Sequence, residues 1–170
     1  MKKKDLITIT YNDSGISWGP AIHYLELWNA FFNKYSNKYN IIGYAPSWTG
    51  KKAIIKPSFP IKIINIPNIR IVKQIIYDFF ICFVLIKYRK KIVYLRPSIS
   101  FFSIFIIKAF NIHIVSELNG INEFDAISAN EHLLIKKLKI KSEINLLKLS
   151  QGVISVSKKI TEHVQSITIA

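Results

Sequence analysis

Six short apolar runs rich in isoleucine punctuate the chain, at residues 6–10, 40–44, 61–66, 91–95, 112–116 and 152–157. All but the second lead into a segment of helical character, at 21–32, 71–88, 98–110, 131–150 and 158–166. Runs of this length, dominated by β-branched residues, read as strands. Strands that alternate with helices build a parallel sheet, covered on both faces by those helices. The predicted fold is therefore α/β: a Rossmann-like, doubly wound parallel sheet of about six strands.

The helical segments differ in pattern. Residues 71–88 place apolar side chains at helical spacing and become apolar on all sides from Phe79 onward. Such a helix is packed on both faces or lies against lipid. Ser98 or Ser100 is the expected N-cap of the helix over 98–110. The segment over 131–150 is poorly patterned, and a break is expected near Lys141-Ser142-Glu143. A Pro/Ser/Lys-rich loop over 45–60 is long enough to be functional or mobile.

Size and composition narrow the class. The 170 residues suit one domain, and with half of them apolar and a fifth charged the chain is not disordered. A net charge of +14 points to an anionic partner: nucleic acid, an acidic membrane surface or a phosphorylated substrate. The single cysteine, Cys82, excludes an intrachain disulfide, no metal-ligand spacing is present, and a reducing, cytoplasmic setting is expected. Lys2-Lys3-Lys4 is followed by too short an apolar stretch for a secretory signal. Residues 75–86, interrupted by Asp78, and 99–107 fall short of the roughly 20 residues that a span needs, and read as buried or interfacial helices.

Polar residues collect where the strands end, and in doubly wound sheets the ligand crevice lies outside the carboxyl ends of the strands. After the first strand, Gly15 and Gly19 flank Trp18 immediately before a helix. Backbone N–H groups and a helix N-terminus there could hold phosphate or a polar sugar, with Trp18 stacked on the ring. The same loop could be a plain turn, with Trp18 a core plug. It has neither the G-x-G-x-x-G spacing nor the Gly-Lys-Ser/Thr of a P-loop. Arg96 could clamp a phosphate or carboxylate with its bidentate fork, or be a solvated strand end. Glu117, before Asn119-Gly120, could act as a base, bind a hydroxyl, or cap the turn. His23 is the histidine placed to face the crevice; His113, within a strand, reads as structural.

Basic clusters at Lys2–Lys4, 87–91 and 136–141 fit docking on an anionic bilayer, at about 1 kcal/mol per residue near the surface. The middle cluster is equally explained by favourable placement at a helix C-terminus. Nucleic acid is not expected, since no binding motif interleaves with these charges.

The strand–Gly-loop–helix opening, Val93-Tyr94-Leu95-Arg96, the segment Val115-Ser116-Glu117-Leu118-Asn119-Gly120 and the closing Gly152-Val153-Ile154-Ser155-Val156-Ser157-Lys158-Lys159-Ile160 together resemble the amino-terminal domain of family 4 glycosyltransferases of the GT-B fold. The resemblance covers nearly the whole chain. It implies that residues 1–170 form an acceptor-binding half, truncated before the domain that binds the nucleotide-sugar donor. Gly15, Trp18, Gly19, His23, Arg96, Glu117, Asn119, Gly120 and Ser157 would line the substrate cleft. No metal or cofactor is implied beyond the nucleotide-sugar used by the complete enzyme. The implied partners are a donor domain, in the same gene product or a separate chain, a glycan or lipid-linked acceptor, and the inner face of the plasma membrane, in cell-surface polysaccharide synthesis. The family's paired-glutamate donor motif is absent, so these 170 residues alone are expected to transfer no sugar. The competing readings are a non-catalytic membrane-surface or scaffolding protein, such as a decayed transferase remnant, and a different Rossmann-like domain for a nucleotide or nucleic acid.

Overall fold

All six apolar runs are strands, and they pair in parallel throughout. The computed structural model describes residues 3–13, 19–51, 55–96, 100–119 and 133–168. In chain order the elements are β1 (Lys4–Ile9), α1 (Gly19–Tyr35), β2 (Tyr39–Ser47), β3 (Ile61–Asn65), α2 (Arg70–Lys87), β4 (Ile92–Leu95), α3 (Phe102–Ala109), β5 (Ile114–Leu118), α4 (Leu133–Leu149), β6 (Gly152–Ser155) and α5 (Lys158–Thr168). The strand order is β3-β2-β1-β4-β5-β6. The chain thus winds outward from β1 in one direction and then, from β4, in the other. Between β1 and β4 lies the topological switch point, where the register sets Ile7 beside both Ile42 and Val93.

The two sheet faces are covered unequally. On one face Ile7, Ile9, Val93, Leu95 and Ile114 pack against Tyr77, Ile81 and Leu85 of α2, Ile107 of α3 and Leu146 of α4. On the other, α1 turns Tyr24, Leu25 and Trp28 onto Leu6, Ile41 and Tyr94. That spacing is one helical stripe. Each fully buried aliphatic side chain contributes about 1.5–3 kcal/mol relative to exposure. Gly43 of β2 is required by this second core. A Cβ there would lie 2.6 Å from the Phe59 ring and 3.1 Å from Ile61.

Strand β2 continues three residues past the predicted end at Tyr44, through Pro46. Odd-numbered residues of β2 face β3, as Gly43 N–H donates to Pro60 O and Ser47 O accepts from Ile66 N–H, while Tyr44 O accepts from Thr10 N–H on the β1 side. The Pro46 nitrogen therefore faces the side that β1 has already left, and the missing N–H breaks no ladder bond.

Three sequence expectations fail for physical reasons. Helix α4 runs unbroken through Lys141-Ser142-Glu143, because its buried polar side chains have polar surroundings. Ser142 Oγ accepts from Ser100 N–H, and Glu143 lies 3.9 Å from His163 of α5. Helix α3 starts at Phe102, with Phe101 as an N-cap residue that makes no side-chain bond, so Ser100 does not cap it; Ser98 lies outside the described residues. The cap comes from α2 instead: Asp78 Oδ2 accepts from the N–H groups of Phe101 and Phe102, both at 2.8 Å. Asp78 Oδ1 accepts from Tyr11 O–H at 2.9 Å and, over a short contact, from Ser103 Oγ–H. His113 precedes β5 rather than lying within it, and is exposed.

Burial also fixes how the fold responds to alkali. Desolvation holds Tyr11, Tyr24, Tyr77 and Tyr94 above the ordinary tyrosine range, with the charge of Asp78 adding at Tyr11 and that of Glu117 at Tyr24 and Tyr94. The Cys82 thiol is pushed up to about 12, again chiefly by burial. The unfolded chain releases these protons from about pH 9 upward, while the fold keeps them. Stability from these groups is therefore complete below pH 9 and is lost as pH rises through 10 and beyond. The urea midpoint is expected to fall steeply between pH 9 and 11; an unchanged midpoint across that interval would contradict the assignment.

Candidate functional site

At the carboxyl ends of β1, β4 and β5, beside the switch point, one cluster of polar side chains forms around Glu117. The carboxylate ends a strand whose outer face lies against α1, and only 1% of the residue is exposed. Tyr94 O–H, one strand over, donates to Glu117 Oε2 at 2.7 Å. Asn119 Nδ2 donates to Oε1 at 2.5 Å, and His23 Nε2 of α1 lies 3.3 Å from the same oxygen. The half-exposed His23 ring reaches inward because α1 buries Ala21 and Tyr24 on either side of it in sequence. Trp28 meets the Tyr94 ring edge-on at 4.7 Å, which sets the position of that phenol. Tyr24 O–H lies 3.3 Å from Thr8 Oγ1 and 3.4 Å from Thr8 O, so β1 contributes a further polar group.

Arg96 belongs to the same cluster. Its N–H donates to Ile9 O across the switch point, and the residue is buried, which excludes the solvated strand end weighed from sequence. Burial draws its guanidinium below the ordinary value while the Glu117 carboxylate acts against that shift. Arginine remains charged under any working condition. The site thus pairs a fixed buried cation with a buried carboxylate that is held by neutral donors.

Glu117 is engaged on both oxygens and so serves as the organiser of the cluster. Asn119 is different: its Oδ1 is buried and has no hydrogen-bond partner among the described residues. Since Nδ2 is committed to Glu117, this oxygen is the acceptor that the cluster leaves unsatisfied among the described residues. An unpaired buried acceptor costs about 1–3 kcal/mol, which a ligand hydroxyl would recover.

Of the residues singled out in the sequence, the fold brings together His23, Arg96, Glu117 and Asn119. Gly19 is the first residue of α1 rather than a loop residue. Ser157 follows β6 on the same rim, but its Oγ accepts from Ile160 N–H at 3.3 Å as the cap of α5. Gly15, Trp18 and Gly120 lie outside the described residues. Sequence reasoning missed Thr8, Tyr24 and Tyr94 as polar partners. It also missed Asp13, whose Oδ2 accepts from the N–H groups of Trp48 and Thr49 and ties the loop after β1 to the loop after β2. Among the described residues, no group of three His, Cys, Asp or Glu side chains could hold a metal ion.

No protein-family model and no curated protein matches the sequence. Solved structures do. A Listeria monocytogenes protein assigned as a UDP-N-acetylglucosamine 2-epimerase superposes over 98% of this chain with a TM-score of 0.63 at 13% identity. The UDP-GlcNAc 2-epimerase of Methanocaldococcus jannaschii does so over 98% with a TM-score of 0.58 at 14% identity. The chain spans 42% and 43% of the lengths of those two structures. At such identities the likeness establishes the fold: a Rossmann-like α/β sheet matching GT-B-like neighbours.

Proposed function

We propose that this chain is one half of a two-domain, sugar-handling enzyme of the GT-B type, and that its rim at the switch point binds the acceptor of a glycosyltransferase. The acceptor is a glycan or lipid-linked saccharide of cell-surface polysaccharide synthesis. The resemblance of the sequence to family 4 glycosyltransferases supports this reading, as do the length of the GT-B-like neighbours and the sugar-nucleotide chemistry for which those neighbours are named. The opposite wall of the cleft, with the nucleotide-sugar donor site, comes from the same gene product or from a second chain.

The observation that carries the reading is the buried, unpaired Asn119 Oδ1 beside the half-exposed His23, both fixed by Glu117 at the switch point. A saccharide hydroxyl donates to Asn119 Oδ1 and accepts from or donates to His23. The neighbours' names favour a second reading, in which the rim receives the UDP-sugar itself, as half of an epimerase.

Titration of the isotope-labelled chain distinguishes them. A soluble short-chain prenyl-pyrophosphoryl saccharide is expected to shift the resonances of His23 and Asn119, and Asn119→Ala is expected to weaken that binding about tenfold. Shifts at these residues from UDP-GlcNAc, with none from the saccharide, would replace the transferase reading by the epimerase one. No shift there from either would leave a non-catalytic scaffold.

A further inference from the structure

The helix layer on the far side of the sheet from Glu117 has a surface that the sugar-handling reading does not use. Helices α2 and α3 pack against each other, and between them runs an apolar groove of about 480 Å³, lined by Phe79, Phe83, Phe101, Phe102 and Phe105. These rings are not core. Phe83 is 59% exposed and Phe105 69%, and the edge-to-face contacts of Phe79 with Phe83 and Phe102 join them into one patch. A contiguous aromatic patch of this kind marks an interaction surface.

Charge identifies what it meets. Helix α2 carries three Lys or Arg residues, α3 one and α4 five. The same three helices carry two acidic residues, Asp78 and Glu143, and both are buried. Every solvent-facing charge that these three helices hold is thus positive. Both α2 and α3 connect parallel strands, so their C-termini lie at the same edge of the sheet. Lys87 and Lys108 in their last turns, with Arg89 and Lys90 just beyond α2, gather at that one end of the Phe groove. Exposed phenylalanines rimmed by long cationic side chains suit an interface in which the rings enter the acyl boundary while the ammonium groups snorkel to phosphates. Among the described residues no helix is long and apolar enough to cross a membrane.

We infer that the α2–α3 face is a docking surface for an anionic phospholipid bilayer, inserting Phe83 and Phe105. This leaves the Glu117 cluster on the opposite side of the sheet, clear of the lipid. The inference does not rest on the sugar-handling reading: vesicle binding and saccharide titration at the rim can be lost independently.

Co-sedimentation of the full chain with vesicles tests it, using phosphatidylcholine alone and phosphatidylcholine with about 30% phosphatidylglycerol, which brings the surface near the charge of an anionic leaflet. Binding to the anionic vesicles is expected, falling at least about tenfold between 0.05 and 0.5 M NaCl as the charges are screened. The double variant Phe83→Ser/Phe105→Ser is expected to lose binding at least about tenfold with an unchanged urea midpoint, since both rings are exposed. Charge reversal at Lys87 and Lys108 is expected to abolish the preference for anionic lipid. Equal binding by the serine variant overturns the insertion. Absence of binding overturns the docking, whether the chain instead self-associates through this face in sedimentation velocity or binds a nucleic acid in a salt-dependent way.

Discussion

Replacement of Asp78 by alanine is expected to destabilise the protein by about 3–5 kcal/mol. The carboxylate is completely buried on α2 and accepts from two other parts of the chain: the Tyr11 hydroxyl after β1, and Phe101, Phe102 and Ser103 at the start of α3. Without it, two N–H groups at the N-terminus of α3 and the Tyr11 hydroxyl lose their acceptor inside the core. Each such loss costs about 1–3 kcal/mol, and the negative charge at the helix N-terminus is lost with them. Asp78→Asn keeps the shape but turns an NH2 toward donors, and about half the effect is expected. Urea unfolding followed by circular dichroism checks both. A cost below about 1 kcal/mol for the alanine variant would mean that the network forms no part of what holds α3. Should the alanine variant fail to fold, the asparagine variant still reports.

The same residue shows where sequence reading stops. Isoleucine-rich runs and intervening helical segments made the parallel sheet legible, because strand and helix periods are local properties. Asp78 was visible only as an interruption of an apolar run. That a lone carboxylate in such a helix must find donors follows from the cost of burying it, yet which donors depends on a contact made 23 residues later in the chain. Ser142 and Glu143 misled in the same manner: polar residues in a weak helical pattern suggested a break, whereas the fold turned them inward to Ser100 and toward His163. At the rim, strand ends gave His23, Arg96, Glu117 and Asn119 from chain order alone. Tyr94 and Tyr24 stayed hidden because buried aromatics read as core, and their hydroxyls declare themselves only when β1, β4 and α1 are assembled. The asymmetry of α2, α3 and α4, basic outside and acidic only within, likewise needs the burial of Asp78 and Glu143 to be known.

If the rim binds a saccharide as proposed, Glu117→Gln is expected to reduce that binding about 100-fold or more, corresponding to roughly 3 kcal/mol. The substitution removes no atoms from the site, so the loss isolates charge and hydrogen-bond polarity. Glutamine offers one oxygen where the carboxylate offered two, and its NH2 must face either the Tyr94 hydroxyl or the Asn119 amide, both of which donate to Glu117. Facing Tyr94, the NH2 makes that hydroxyl an acceptor; facing Asn119, it makes the amide flip, which withdraws the Oδ1 that awaits the ligand. The buried Arg96 also loses the negative charge that acts against its desolvation. Tyr94→Phe deletes one donor and leaves the carboxylate, Asn119 and His23 in place; a loss within about tenfold is expected. The ratio between the two variants discriminates positioning from bulk stability. If both lower the urea midpoint equally and binding falls only in proportion to the unfolded fraction, Glu117 holds the fold and not the site. If the glutamine variant keeps a native midpoint at neutral pH and still fails to bind, the carboxylate sets the geometry on which the rim depends.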